Sequence, residues 1–112
     1  YHTSLDNLDV VSPQGLEGSY DVLRECLTLI EENRVYKIKT LGVPQLGKRG
    51  LYPTLSTSTS AIEMETMINF ISYADGRNDI VDISNTICVP VEKLRPIIEK
   101  LLRVDLLTVS MP

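Results

Sequence analysis

The sequence predicts an α+β chain in which a long helix and a strand end an α/β domain and a small winged helix-turn-helix lobe follows. Two observations predict this. Apolar residues recur at helical spacing on both sides of residues 42–60, a segment rich in Gly, Pro, Ser and Thr, but not inside it. After that segment, three short helical patterns follow closely and lead into a strand. We therefore divide the chain into residues 1–41, a connecting arm at 42–60 and a winged-helix lobe at 61–112.

Composition and charge are those of an ordinary globular protein. Of 112 residues, 43% are hydrophobic and 23% are charged, and the net charge is −4, which gives no general attraction to nucleic acid or anionic membranes. There is no apolar run of membrane-spanning length and no signal-peptide pattern, so we expect a cytoplasmic protein without a membrane partner. Cys26 and Cys88 lie far apart in helical patterns, which predicts buried free thiols. Because the chain starts at Tyr1 rather than Met, we expect a fragment of a longer protein.

The first helix has a clear start and a broad apolar face. Ser12 is a suitable N-cap and Pro13 suits the first helical position, while Asn33 can end the helix. The apolar residues that recur every three or four positions are Leu16, Tyr20, Leu23, Leu27 and Ile30, and Val22, Cys26 and Leu29 widen the stripe. Such breadth predicts a helix buried against a larger body. Residues 35–40 then alternate as a strand does.

The arm carries large apolar residues that a flexible linker does not need. Leu46, Leu51, Tyr52 and Leu55 occur within a segment that contains Gly and Pro but no helical pattern. This predicts an ordered arm, with Leu51 and Tyr52 as its anchors on the apolar surface of a domain.

Part of the arm matches the first seven positions of a phosphate-binding P-loop. A P-loop also requires a Ser or Thr after its Lys and a helix that starts there, but Arg49 follows Lys48, and Gly50 and Pro53 prevent a helix. We therefore reject a nucleotide site. Lys48 and Arg49 are candidates for contact with an anionic ligand or substrate group, although such a pair is more often solvated or paired structurally.

The lobe begins with two helices. The second helix is expected over residues 61–74, with Gly76 as its C-terminal cap, and Asn78 is expected to cap the third. The inward residues are expected to be Met64, Met67, Ile68 and Ile71 in the second helix, and Ile80, Ile83 and Ile87 in the third.

A turn at residues 88–90 leads into the fourth helix, and residues 106–109 close the lobe as a strand. The buried stripe of the fourth helix is expected to contain Val91, Leu94, Ile98, Leu101 and Leu102. Pro96 removes a backbone hydrogen bond and should kink this helix or delay its start.

The charge of the lobe argues against DNA reading. Residues 62–112 contain five Lys or Arg and eight Asp or Glu, a balance of −3, and Glu92 and Glu99 lie in the candidate recognition helix. A DNA-reading helix needs a positive face for phosphates and side chains that reach base edges. We expect no nucleic-acid partner. A winged-helix DNA-binding regulator is the alternative hypothesis, and a protein-interaction adaptor whose arm docks on a partner is a third.

One segment points to metal chemistry. His2 is the single histidine, and its neighbours with metal-binding side chains are Asp6 and Asp9, whereas a protein zinc site needs three or four converging ligands. The pattern His-Thr-x-x-Asp-Asn at residues 2–7, followed by an apolar pair and a long helix, resembles the last metal-binding segment of co-catalytic zinc aminopeptidases of the leucyl aminopeptidase and glutamate carboxypeptidase kind. Asn7 departs from the Thr that is commoner there. The segment PQLGKRGLYPT followed by a winged-helix lobe is similar to the C-terminal part of bacterial aminopeptidase-like proteins associated with polysaccharide biosynthesis.

The resemblance implies that His2 binds one of two zinc ions and that Asp6 supports its loop. Residues 1–40 would then be the last loop, helix and strand of a peptidase domain in which two zincs activate a water and a Glu acts as base. The base and the other ligands are not among these 112 residues, so we expect the chain alone to be inactive and not to retain zinc. The expected partners are the remainder of the peptidase domain or another subunit, a second copy of the chain, and a small peptide-like substrate.

Overall fold

The computed structural model describes Ser4, residues 7–52 and residues 58–111. Its elements are α1 (Pro13–Glu32), β1 (Val35–Ile38), a short 3-10 turn (Gly47–Arg49), α2 (Ser58–Tyr73), β2 (Asp75–Asp79), α3 (Ile80–Ile87), α4 (Val91–Arg103) and β3 (Leu107–Ser110). The chain divides into two compact units, residues 1–32 and residues 33–112. No helix in the described ranges is long and apolar enough to cross a membrane.

The helix α1 begins and ends where the sequence predicts. The Ser12 hydroxyl accepts a hydrogen bond from the backbone N–H of Gly15 at 3.1 Å, so the predicted N-cap is confirmed. The helix starts at Pro13 and its last residue, Glu32, directly precedes Asn33. No residue of α1 is buried, and its apolar stripe, with Leu23 as an example at 65% exposure, faces solvent.

The strand β1 is the central strand of the unit 33–112. The sheet is antiparallel with the order β2-β1-β3, and β1 aligns Tyr36 with Val109 and Ile38 with Leu107 on one side and Lys37 with Asp75 on the other. The strand itself is confirmed, and it pairs with both other strands of this unit. The boundary expected after residue 41 therefore falls inside this unit. Alternation in a single strand indicates which side chains are buried, but it does not identify the strands that pair with it.

The strand β2 was not predicted, because its five residues, DGRND, carry no apolar alternation. Gly76, expected as a helix cap, lies within this strand at a φ of +90°. A Cβ at this position would lie 3.0 Å from Cδ of Lys37 on the neighbouring strand. The missing side chain of Gly76 thus allows β1 and β2 to approach closely, and Gly76 does not cap α2.

The cap of α3 is Asp79 and not the predicted Asn78. The backbone N–H of Asp82 donates to Oδ1 of Asp79 at 2.9 Å, and the Asp82 carboxylate accepts from the Asp79 N–H, which completes a capping box. The Asn78 side chain instead donates to the carbonyl of Tyr73 at 3.1 Å, and so ties the C-terminal end of β2 to the end of α2.

The core of this unit lies where α2, α3, α4 and the sheet meet. Its fully buried large side chains are Met67, Phe70, Ile83, Leu94, Ile97, Leu101 and Leu106. The ring of Phe70 packs edge-on against Tyr36 of β1, with 5.8 Å between the ring centroids. The predicted stripes need two corrections: Ile68 and Leu102 are exposed, and Phe70 and Ile97 take the inward positions.

The helix α4 starts at Val91 and includes Pro96, so of the two expected effects of this proline the delayed start does not occur. The two cysteines differ from expectation. Cys26 and Cys88 are free, but both are exposed, so the prediction of buried thiols is wrong. Cys26 lies within α1, none of whose residues is buried, and Cys88 ends α3 in the left-handed conformation with a φ of 55°.

Candidate functional site

The arm folds into a closed turn before it reaches α2. The carbonyl of Leu46 accepts hydrogen bonds from the N–H groups of Arg49 and Leu51, each at 3.1 Å, and Gly50 adopts the left-handed conformation that closes the turn. Leu46 is 3% exposed and is the buried anchor of this segment. Of the two predicted anchors, Leu51 is half-buried and Tyr52 is 58% exposed.

This turn forms one wall of a cavity of about 500 Å³ within the unit 33–112. The other walls come from α2 and from the C-terminal end of α4. The described residues that line the cavity are residues 49–52 of the arm, Ser60, Glu63, Met64 and Met67 of α2, and Lys100, Arg103 and Val104 at the end of α4.

Three cations and one carboxylate surround the cavity. A guanidinium nitrogen of Arg49, Nη1, donates to the backbone carbonyl of Val104 at 3.0 Å. The ammonium of Lys100 pairs with the carboxylate of Glu63. Arg103 is exposed and forms no hydrogen bond or ion pair with another residue of the described ranges. The cavity wall therefore carries a net positive charge.

A second ion pair lies beside Arg49. The Lys39 ammonium hydrogen-bonds to the Asp105 carboxylate and ties β1 to the turn between α4 and β3. This hydrogen bond and the charge of Lys39 lower the pKa of Asp105, and the charge of Arg49 adds to the effect. Asp105 is therefore a carboxylate that Lys39 already balances.

The two arm cations named from the sequence have different positions. Arg49 lines the cavity, whereas Lys48 is exposed and is not among the lining residues described. Lys100 and Arg103 were not predicted as site residues, because the charges of α4 were interpreted only as those of a DNA-reading helix. Their position in the last turn of α4 was a signal, since cations are favoured at a helix C-terminus.

The predicted metal ligand His2 and its supporting residue Asp6 lie outside the described residues. Within Ser4, 7–52 and 58–111, no three His, Cys, Asp or Glu side chains converge in a way that could hold a metal ion. The described residues thus offer an anion-attracting cavity and no complete metal site.

Comparison with known proteins identifies relatives over nearly the whole chain. A family model described as winged helix-turn-helix matches residues 34–109. A protein of Clostridium acetobutylicum, named as a polysaccharide biosynthesis protein with an aminopeptidase-like domain, is 33% identical over 109 residues, which cover 96% of this chain and 25% of the relative. A crystal structure from the same organism, assigned as a peptidase, superposes with a TM-score of 0.80 at 32% identity and covers 98% of this chain and 24% of the solved one. The chain thus spans about a quarter of the length of these relatives.

Proposed function

The chain belongs to the winged helix-turn-helix family, and from this premise we propose that it is part of a zinc-dependent aminopeptidase-like hydrolase in which the winged helix is a structural or interaction module. The similarity to the Clostridium protein carries this proposal. That similarity extends over 96% of the chain and so includes most of the residues that precede the winged-helix match. A relative with the winged helix alone in common would support much less.

The exposed face of α1 is the structural support for a larger body around this chain. Its apolar side chains leave a continuous stripe in water, as the spacing of Leu16, Tyr20 and Leu23 illustrates. A contiguous apolar surface of this kind marks an interaction site in most soluble proteins. We assign the partner as the remainder of the aminopeptidase-like domain, which corresponds to the part of the relative that this chain does not cover.

The metal ligands of such an enzyme would come largely from that remainder. The described residues offer no complete metal site, and His2 is the residue of this chain that we propose as a ligand, with Asp6 as support for its loop. Zinc supplies an activated water in enzymes of this class. The chain by itself would then have no hydrolytic activity, and hydrolysis of aminoacyl substrates by these 112 residues alone would contradict the proposal.

Metal analysis of the full-length protein tests the proposal. We expect about two zinc ions per chain by plasma emission, and a lower content in a His2→Ala variant. The matched control is Glu17→Gln, which changes an exposed carboxylate outside that segment and should keep the full metal content. Absence of zinc from the full-length protein would overturn the zinc proposal, and an unchanged content in His2→Ala would remove His2 from the ligand set.

The charge of the winged-helix unit keeps the DNA-binding alternative open to test. The unit 33–112 has ten Lys or Arg and eight Asp or Glu, so it carries +2 rather than the −3 of the expected lobe 62–112. The difference is five cations that precede residue 62. On α4, however, Glu92 and Glu99 remain exposed and Lys100 is paired with Glu63, so the helix has no uniformly positive face. Filter binding with duplex DNA distinguishes the two hypotheses. Salt-sensitive, sub-micromolar binding would favour the winged-helix DNA-binding regulator over the structural or interaction module.

A further inference from the structure

We propose that the cavity between the arm, α2 and the end of α4 binds the phosphate or carboxylate group of a small ligand, with Arg49 and Arg103 as its main contacts. The cavity lies within the unit 33–112. The proposal does not rest on the metal chemistry proposed above, which depends on His2. Either proposal can therefore fail without the other.

The size and lining of the cavity fit a small molecule. Its volume of about 500 Å³ lies within the range of roughly 300–1,000 Å³ that is typical of small-molecule sites. Leu51, Met64 and Met67 supply apolar surface, and Tyr52 and Ser60 bring hydroxyl-bearing side chains to the wall. A few polar groups set in an apolar wall are what such sites use to orient a ligand.

Arg49 is positioned for oxyanion binding by a bond that leaves most of its donors available. Its Nη1 donates to the carbonyl of Val104 at 3.0 Å, which holds the guanidinium at the cavity wall. A guanidinium has five N–H donors in a planar fork, and two parallel bonds to phosphate or carboxylate are its strongest interactions. Because the side chain is already held, less conformational entropy is lost when a ligand binds.

The charges at the wall favour an anion. The charged residues that line the cavity are three cations, Arg49, Lys100 and Arg103, and one carboxylate, Glu63, so their net charge is +2. The nearby Asp105 does not offset this, because Lys39 pairs with it. Arg103 has no hydrogen-bond or ion-pair partner among the residues described, so no internal pair has to break before it contacts a ligand.

Glu63 is the internal competitor of the ligand. Its carboxylate holds the ammonium of Lys100 at the cavity wall. Its replacement by Gln removes the negative charge and frees Lys100, so the affinity for an anion should rise. A set of cations that only stabilises the fold would not respond in this way.

An NMR titration of the 112-residue chain at low salt tests the proposal. The probes are glucose 1-phosphate and glucuronate, which separate phosphate from carboxylate, and glucose, which tests for binding without charge. We expect saturable amide shifts at Gly50, Leu51 and Val104 with at least one charged probe and none with glucose. A response to one charged probe alone supports the proposal and identifies the group that is bound.

Three variants assign the contacts. Arg103→Gln should raise the Kd about tenfold, as expected for the loss of a charge-assisted hydrogen bond, and Glu63→Gln should lower it. The matched control is Lys93→Gln, which removes a positive charge from the same helix at an exposed position outside the cavity lining. Its Kd should change by less than about twofold.

Four outcomes would overturn the proposal. The first two are the absence of shifts with both charged probes up to about 10 mM and a response to glucose equal to that of the charged probes. The other two are an equal rise in Kd for Lys93→Gln and Arg103→Gln, and a Kd that Glu63→Gln does not lower. If a short DNA duplex alone shifts the cavity amides, the surface binds nucleic acid and the small-ligand proposal is wrong.

Discussion

The helices α1 and α4 have the same kind of sequence pattern and opposite environments. Both carry an apolar stripe at helical spacing opposite a charged face, yet α1 has no buried residue while α4 buries Val91, Leu94, Ile97, Ile98 and Leu101. The charges of their units differ as well. Residues 1–32 have one Lys or Arg and seven Asp or Glu, a balance of −6, whereas residues 33–112 carry +2. A helical stripe thus predicts that a face is suited to burial, but not that its packing partner lies among these 112 residues.

Truncation at two different boundaries is the strongest test of this comparison. A fragment of residues 33–112 should unfold cooperatively, whereas a fragment of residues 42–112 should show no cooperative transition. The second fragment lacks β1, which pairs with both other strands of the sheet, and it loses the Tyr36 ring that packs on Phe70. Thermal melts followed by circular dichroism measure the difference. Equal melting temperatures for the two fragments would show that β1 is dispensable and that the unit begins after it.

Matched leucine truncations on the two helices compare the stripes directly. Leu94→Ala in α4 should lower the free energy of unfolding by about 2–5 kcal/mol, because the side chain is fully buried in the core. Leu23→Ala in α1, at 65% exposure, should cost less than about 1 kcal/mol in the 112-residue chain. Urea denaturation gives both values.

The same pair of variants in the full-length protein sharpens the result. If α1 packs on the remainder of an aminopeptidase-like domain, Leu23→Ala should become as costly there as Leu94→Ala. A cost that stays small in the full-length protein would contradict that packing.

Thr40→Val tests a buried polar group in the unit 33–112 and should have the smallest effect. The hydroxyl of Thr40 is buried, and it has no hydrogen-bond partner among the described residues. Valine keeps the branched shape and removes the polar group, so the free energy of unfolding should rise by about 1 kcal/mol. The control is Thr108→Val on β3, where the exposed hydroxyl donates to the carbonyl of Lys37 at 3.2 Å and its loss should not stabilise the unit. Equal effects of the two substitutions would mean that burial of the Thr40 hydroxyl has no energetic cost.

Local features were predictable from the sequence because a few neighbouring residues determine them. The Ser12 cap, the start of α1 at Pro13, the turn after α3 and most of the α4 stripe were found in this way. The winged-helix class was also predictable, and the family match confirms it. Helical spacing and capping chemistry operate over three or four residues, which is the range that a pattern in the sequence can reveal.

Features that depend on distant residues were missed or misplaced. The strand β2 has no apolar pattern of its own, and its Gly76 approaches Lys37 of β1 closely. Phe70 was not predicted as a core residue. The Tyr36 ring that packs on it comes from a strand that was predicted to lie in the preceding domain, so this contact could not be anticipated. Arg49 was named from the arm, but Lys100 and Arg103 were not connected with it.

The sequence by itself determined where the helices lie, which faces are apolar, and that the chain contains a helix-turn-helix. Only the tertiary structure decided that β1 belongs to the winged-helix unit, that β2 exists, and that cations from the arm and from α4 surround one cavity. The physical reason is the range of the interactions. Caps and helical faces form between near neighbours, whereas strand pairing and the convergence of charges join segments that only the folded chain brings together.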